Sequence, residues 1–176
     1  MDLKKIIHNV LIEQWNKNCP PIKITDEIYN EVNRFNTSEE LLRSGGISTQ
    51  ALDRAAFGFA VEDITTLMPH QLHIKWKEDL ENVKYEIAND IEHLVRNGGD
   101  KKKWAEKINL TEPIDVSFEK HKFYIEDGHH RYYAAKILKK PLNINLEIKM
   151  NPIEELSPGL GYDDFHRCIF NQVKNR

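Results

Sequence analysis

Apolar residues recur at helical spacing through the opening third of the chain. Leu3, Ile6, Ile7, Val10, Leu11 and Trp15 form one stripe, which Cys19-Pro20-Pro21 interrupts. Ile28, Val32 and Phe35 mark a second, short helix after Thr25-Asp26. Thr37 followed by Glu40 is a capping-box signature for a third helix that ends at Gly45-Gly46, and Ser48-Thr49 opens a fourth that runs to Phe57. From Gly58 the texture changes. Leu72, Ile74 and Trp76 alternate, which predicts a short strand after Pro69. Leu80, Val83, Ile87, Ile91 and Leu94 then step by three or four residues and predict a long helix over 78–96, closed by Asn97-Gly98-Gly99. A short helix over 101–110 turns Trp104 and Ile108 inward.

Strict alternation dominates next. Ile114, Val116 and Phe118, then Phe123 and Ile125, predict a hairpin whose apolar side chains share one face. Tyr132, Ala135, Ile137 and Leu138 predict a helix stopped by Lys139-Lys140-Pro141, and Leu142, Ile144, Leu146 and Ile148 predict a further strand. A last helix is expected over 162–173, after a stretch holding Pro152, Pro158, Gly159 and Gly161. This order defines an α/β (α+β) chain in three segments: a helical N-terminal extension over 1–60, a small mixed-sheet domain over 61–150, and a C-terminal tail and helix over 151–176.

At 176 residues, with 40% hydrophobic and 30% charged positions and a net charge of -3, the chain suits a globular protein whose bulk charge gives no support to nucleic-acid binding. Locally the balance reverses. Residues 120–140 carry Lys120, Lys122, Arg131, Lys136, Lys139 and Lys140 against only Glu126 and Asp127, which favours a small anionic ligand, although lysines in the last turn of a helix also complement its dipole. Cys19 and Cys168 are too few and too isolated for a disulfide framework, so reduced thiols and a cytoplasmic setting are expected. No signal-peptide core or membrane-spanning run is visible.

The chemistry concentrates at Glu126-Asp127-Gly128-His129-His130-Arg131, where a predicted strand gives way to a predicted helix. Glycine allows a sharp turn, and the first amides of a helix have no internal partners, so a phosphate is expected to collect donors there. Gly128, His129, His130 and Arg131 are the candidate phosphate or nucleotide ligands. Imidazole suits an anion because either nitrogen can donate and an anion favours its charged form. Adjacent helical residues point apart, so at most one of the two imidazoles faces the phosphate.

The order of elements, together with Pro113-Ile114 before a strand, Asp127-Gly128-His129-His130-Arg131 at the corner and Tyr133-Ala134-Ala135 after it, resembles the ParB/sulfiredoxin superfamily over roughly residues 66–149. That resemblance implies a nucleotide such as ATP, ADP or CTP at the corner, magnesium as a possible companion, and phosphoryl transfer or nucleotide hydrolysis, with Asp127 and His129 as candidate catalytic residues. Sulfiredoxins carry a cysteine after the glycine where this chain has His129, so sulfinic-acid repair is not expected. Partition-type ParB proteins add a helix-turn-helix module, for which the residues after Met150 are too few. Glu78 and Asp79 are available for a kinase-type carboxylate, but no motif singles out either.

Competing readings are a DNA-binding or nuclease accessory protein that touches a phosphodiester backbone through the same corner with Lys136, Lys139 and Lys140, and a non-catalytic interaction protein. No membrane partner is expected, and the oligomeric state is open. A divalent site joining His70 and His73 to Asp127, His129 and His130 is disfavoured, because a strand at Ile74 puts His70 and His73 on opposite faces. Tyr132, Tyr133 and the tryptophans read as core, and Cys168 as a structural thiol.

Overall fold

The computed structural model describes residues 19–75 and 77–176, so the helix expected over Leu3 to Trp15, and Trp76, lie outside the described residues. The described chain is mixed α/β: eight α-helices and five strands, arranged in two compact units, one formed by the residues up to Ala60 together with Asn151–Arg176 and the other by Val61–Met150. The C-terminal tail and helix, given as a third segment by the sequence, fall in the same unit as the N-terminal helices.

The helical unit contains α1 (Asp26–Val32), α2 (Ser38–Arg43), α3 (Thr49–Phe57), α7 (Pro152–Leu156) and α8 (Tyr162–Lys174). Its helix starts are set by side chains that accept from backbone amides: Thr25 from Ile28, Thr37 from Glu40 and Ser48 from Ala51. The capping box at Thr37 is shifted, since the Glu40 carboxylate accepts from the amide of Asn36 (2.8 Å). Ile28, Val32, Leu41, Ala51, Phe165 and Ile169 are fully buried and form one core.

Cys19 and Cys168, expected as separate thiols, form a disulfide across a sequence separation of 149. No spacing rule could have paired them. Disulfides belong to oxidising surroundings, so the bond removes the ground on which a cytoplasmic setting was expected. Among the described residues no helix is long and apolar enough to cross a membrane.

His166 of α8 is wholly buried in this unit. Its Nδ1 donates to the Tyr162 carbonyl (2.7 Å), which leaves Nε2 with the lone pair and without a partner. Burial lowers its pKa below the ordinary 6.5, against smaller opposing effects from the Tyr162 carbonyl and Asp163. The folded ring therefore stays neutral where the unfolded one takes a proton. Its contribution to stability is whole above about pH 6.5 and declines as pH falls below that value. Melting of the helical unit should drop on acidification from pH 7 to pH 5.5 in wild type, and a His166→Gln variant should lose part of that dependence.

The Val61–Met150 unit is built on a five-stranded sheet in the order β1-β5-β3-β4-β2, from β1 (Thr66–Leu67), β2 (Leu72–Ile74), β3 (Ile114–Glu119), β4 (Lys122–Ile125) and β5 (Leu142–Ile148). β3 and β5 run parallel, as do β2 and β4, while β3–β4 and β1–β5 are antiparallel. The expected hairpin has Val116 opposite Ile125 and Phe118 opposite Phe123, as alternation required. β1, too short to show a period, escaped the sequence reading. Three helices accompany the sheet: α4 (Lys77–Arg96), α5 (Lys101–Lys107) and α6 (His129–Leu138). Tyr132 and Ala135 of α6 join Ile114, Val116, Leu142 and Ile144 in one core, while Ala134 meets Ile87 of α4 and Trp104 of α5 in another. α6 is thus held between sheet and outer helices, and both of its ends are fixed.

Candidate functional site

The turn between β4 and α6 forms as the sequence implies. Gly128 is the N-cap of α6 at φ 91°, and no side chain caps the helix there. The amides of Glu126 and Asp127 both donate to the Asp115 carbonyl, at 2.9 and 3.3 Å. A Cβ on Gly128 would lie 2.4 Å from Cγ2 of the fully buried Ile114, so the turn is pressed directly onto the start of β3.

Two of the four expected phosphate ligands, His130 and Arg131, lie beside other partners. Arg131 donates to the Pro113 carbonyl (2.6 Å), and its guanidinium lies 3.7 Å from the Glu112 carboxylate and 3.8 Å from that of Asp127. His130 Nε2 is 3.6 Å from the Glu86 carboxylate of α4. His129, the first residue of α6, is half-buried. Three carboxylates therefore face the guanidinium and the imidazole that were to meet a phosphate, and the local field disfavours a second anion. Arg131 fastens the start of α6 to the entry of β3. Asp127, expected to position a metal or water, is paired with that arginine.

The other end of α6 offers a different environment. A cavity of about 580 Å³ lies between it and the turn that leads into β2, with Met68, Pro69, Leu72 and Tyr132 as apolar wall and His70, His73, Lys136 and Lys139 as its polar lining. Among the described residues no carboxylate lines it. The Lys136 ammonium is 5.8 Å from the centre of the Tyr132 ring, where the π face favours it. Tyr132 is buried, as expected of core, yet contributes its ring to this wall.

His70 and His73 were expected on opposite faces of one strand. Pro69 instead opens a single 3₁₀ turn over Pro69–Gln71 that carries His70, so strand parity does not apply, and both imidazoles reach the same cavity. Lys139 caps α6 in the left-handed region at φ 53°, a place where glycine is the ordinary residue. A lysine held there at a conformational cost is an observation in favour of a role for its side chain.

A third feature was not anticipated. On the sheet face opposite the apolar positions of β3, Glu126 Oε1 accepts from the buried Ser117 hydroxyl (2.6 Å) and from Lys149 (2.8 Å), with Lys75 at 3.6 Å. Lys75 also pairs with Glu119 (3.0 Å) and Lys149 with Glu147 (3.6 Å). The hydrogen bonds from Lys149 and Ser117, aided by the charges of Lys149 and Lys75, hold the Glu126 carboxyl down at about 2 despite partial burial. Such a carboxylate is neither an acid nor a useful base near neutral pH. It is a charge lock tying β3, β4 and β5 beside the Asp115–Asn145 pair (3.0 Å).

The lock is complete above the ordinary carboxylate pKa of 4.5 and is lost as pH falls from there toward 2. Lys149→Ala should raise the Glu126 titration midpoint, read from its side-chain carboxyl signal. The only hint in the sequence was the alternation that placed Ser117 and Glu119 on the second face of β3. Lys75 and Lys149 reach the lock through tertiary placement.

Among the described residues, no group of three or more histidine, cysteine, aspartate or glutamate side chains is arranged to hold a metal ion. No protein family, curated protein or solved structure matches this chain.

Proposed function

We propose that the Val61–Met150 unit binds a small phosphorylated ligand in the cavity at the C-terminal end of α6. A nucleotide such as ATP, ADP or CTP is the class implied by the resemblance to the ParB/sulfiredoxin superfamily, and this reading keeps that class while moving its site. The observation that carries it is the cavity lining, which among the described residues is two lysines and two imidazoles without a carboxylate, next to an apolar wall. The lysines supply point charges for phosphate oxygens, and the His70 and His73 imidazoles add N–H donors. Met68, Leu72 and Tyr132 give a base or other flat apolar body something to lie against.

The reading is one of capture. Asp127 and His129, the candidate catalytic residues, do not line the cavity. Magnesium would arrive on the ligand's own phosphates.

The test is calorimetric titration of ATP, ADP, CTP and inorganic phosphate into wild type and three variants. Lys136→Glu combined with Lys139→Glu should weaken binding at least about 100-fold, since two attractions become two repulsions. Arg131→Gln should leave affinity within a few-fold. Lys139→Gly should weaken binding while stabilising the unit by about 1 kcal/mol, because glycine relieves the left-handed backbone. That opposition separates loss of a ligand from loss of the fold. Affinity that survives the double reversal but disappears with Arg131→Gln would return the site to the Gly128 turn.

The exposed Lys136, Lys139 and Lys140 also fit a phosphodiester backbone. A short DNA whose binding falls steeply with salt, in the absence of nucleotide binding, would favour that alternative.

A further inference from the structure

The helical unit is made of two stretches of chain, since the polypeptide leaves it after Ala60 and returns at Asn151. The Cys19–Cys168 bond joins those stretches, from just before Pro20 to the middle of α8. The join is backed by Gln172, whose amide donates to the Pro20 carbonyl (2.7 Å) and whose carbonyl accepts from the Ile22 amide (3.2 Å). Segment and helix are therefore held in register by more than the sulfurs.

Both cysteines open onto a cavity of about 510 Å³. Cys19 is half-buried, whereas Cys168 is only 2% exposed, so Cys19 is the more accessible of the two residues. Among the described residues Arg176 is the one charged side chain in the cavity lining, with Asn171 and Asn175 beside it. A void next to a disulfide, walled by amides and a guanidinium, has room for a small thiol and a preference for an anionic one.

We propose that this bond is a thiol-exchange site for small anionic thiols of the glutathione class. The incoming thiolate attacks Cys19 Sγ, forming a mixed disulfide there and expelling Cys168 as a thiolate that takes a proton from solvent. A second thiolate attacks the small-molecule sulfur of the mixed disulfide, releasing the symmetrical small disulfide and Cys19 as a thiol. Two thiols are oxidised to one disulfide while the protein disulfide is reduced to two thiols. The Gln172 clamp keeps the sulfurs close, which favours attack of the Cys168 thiolate on Cys19 Sγ of the mixed disulfide, re-forming the protein bond and releasing the small thiol.

Oxidised full-length protein is incubated without denaturant, at low salt, with reduced glutathione or with cationic cysteamine, quenched with an alkylating agent and followed by intact and peptide mass. The expected result is a rate that rises in proportion to thiol concentration and a glutathione adduct on the Cys19 peptide. At equal thiolate concentration glutathione should outpace cysteamine by about three-fold or more, and Arg176→Glu should reverse that order. A rate that saturates at the unfolding rate, an adduct on Cys168, or an order unchanged by Arg176→Glu would overturn the proposal.

Discussion

Gly128→Ala should destabilise the Val61–Met150 unit by about 3 kcal/mol, the sum of left-handed backbone strain for a residue with a Cβ and of overpacking in a core. Both contributions are visible. The backbone stands at φ 91°, and the added methyl would meet Cγ2 of Ile114 at 2.4 Å and its Cβ at 2.8 Å. Ile114 cannot yield, since it is fully buried, β-branched and paired with β5 through Ile144. For a unit of this size the change amounts to roughly 15 °C in melting temperature. Thermal unfolding of the variant, followed in near-ultraviolet signal, checks it. A variant that melts like wild type but no longer binds ligand would show that the turn is a binding site after all.

Gly46→Ala should destabilise the helical unit by about 2 kcal/mol, from the same two sources in a softer setting. Gly46 closes α2, donating to the Leu41 carbonyl (2.9 Å) at φ 78°. A Cβ there would lie 2.4 Å from the Tyr162 hydroxyl and 2.5 Å from Nε2 of His166. Tyr162 is 47% exposed and can swing away, at the loss of its hydrogen bond to the Gly45 carbonyl. His166 is wholly buried and held by the Tyr162 carbonyl, so it yields only at the cost of its packing and that hydrogen bond. The variant should also flatten the acid side of the stability profile, because displacing the ring lets water reach Nε2. Urea unfolding at pH 7 and pH 5.5 reads both effects.

The sequence disclosed whatever depends on periodic or local signals. Thr25, Thr37 and Ser48 cap the helices they precede, and the alternation of Ile114 through Ile125 sets the hairpin register. β1 and α7 span two and five residues, too short to leave a period. The turn at Gly128 was legible as a turn, because glycine before a helix start has a local cause. The partners of its side chains were not, because the Pro113 carbonyl and the Glu112 and Glu86 carboxylates reach Arg131 and His130 only through the packing of β3 and α4.

The same limit applies elsewhere. Lys136 and Lys139 stood out as a positive run, but their meeting with His70 and His73 depends on a 3₁₀ turn that strand parity could not anticipate. The Cys19–Cys168 bond, at a separation of 149, is a property of the assembled helical unit alone.

The central claim is that the anion seat lies at the C-terminal end of α6 and not at its N-terminal turn. Backbone amide shifts recorded during titration of the wild-type protein with ADP test it most directly. The account predicts saturable shifts centred on His70 to His73 and on Tyr132 to Lys140, with Gly128 to Arg131 little changed. Saturable shifts centred on Gly128 to Arg131, with the amides around Lys136 and His70 still, would contradict it.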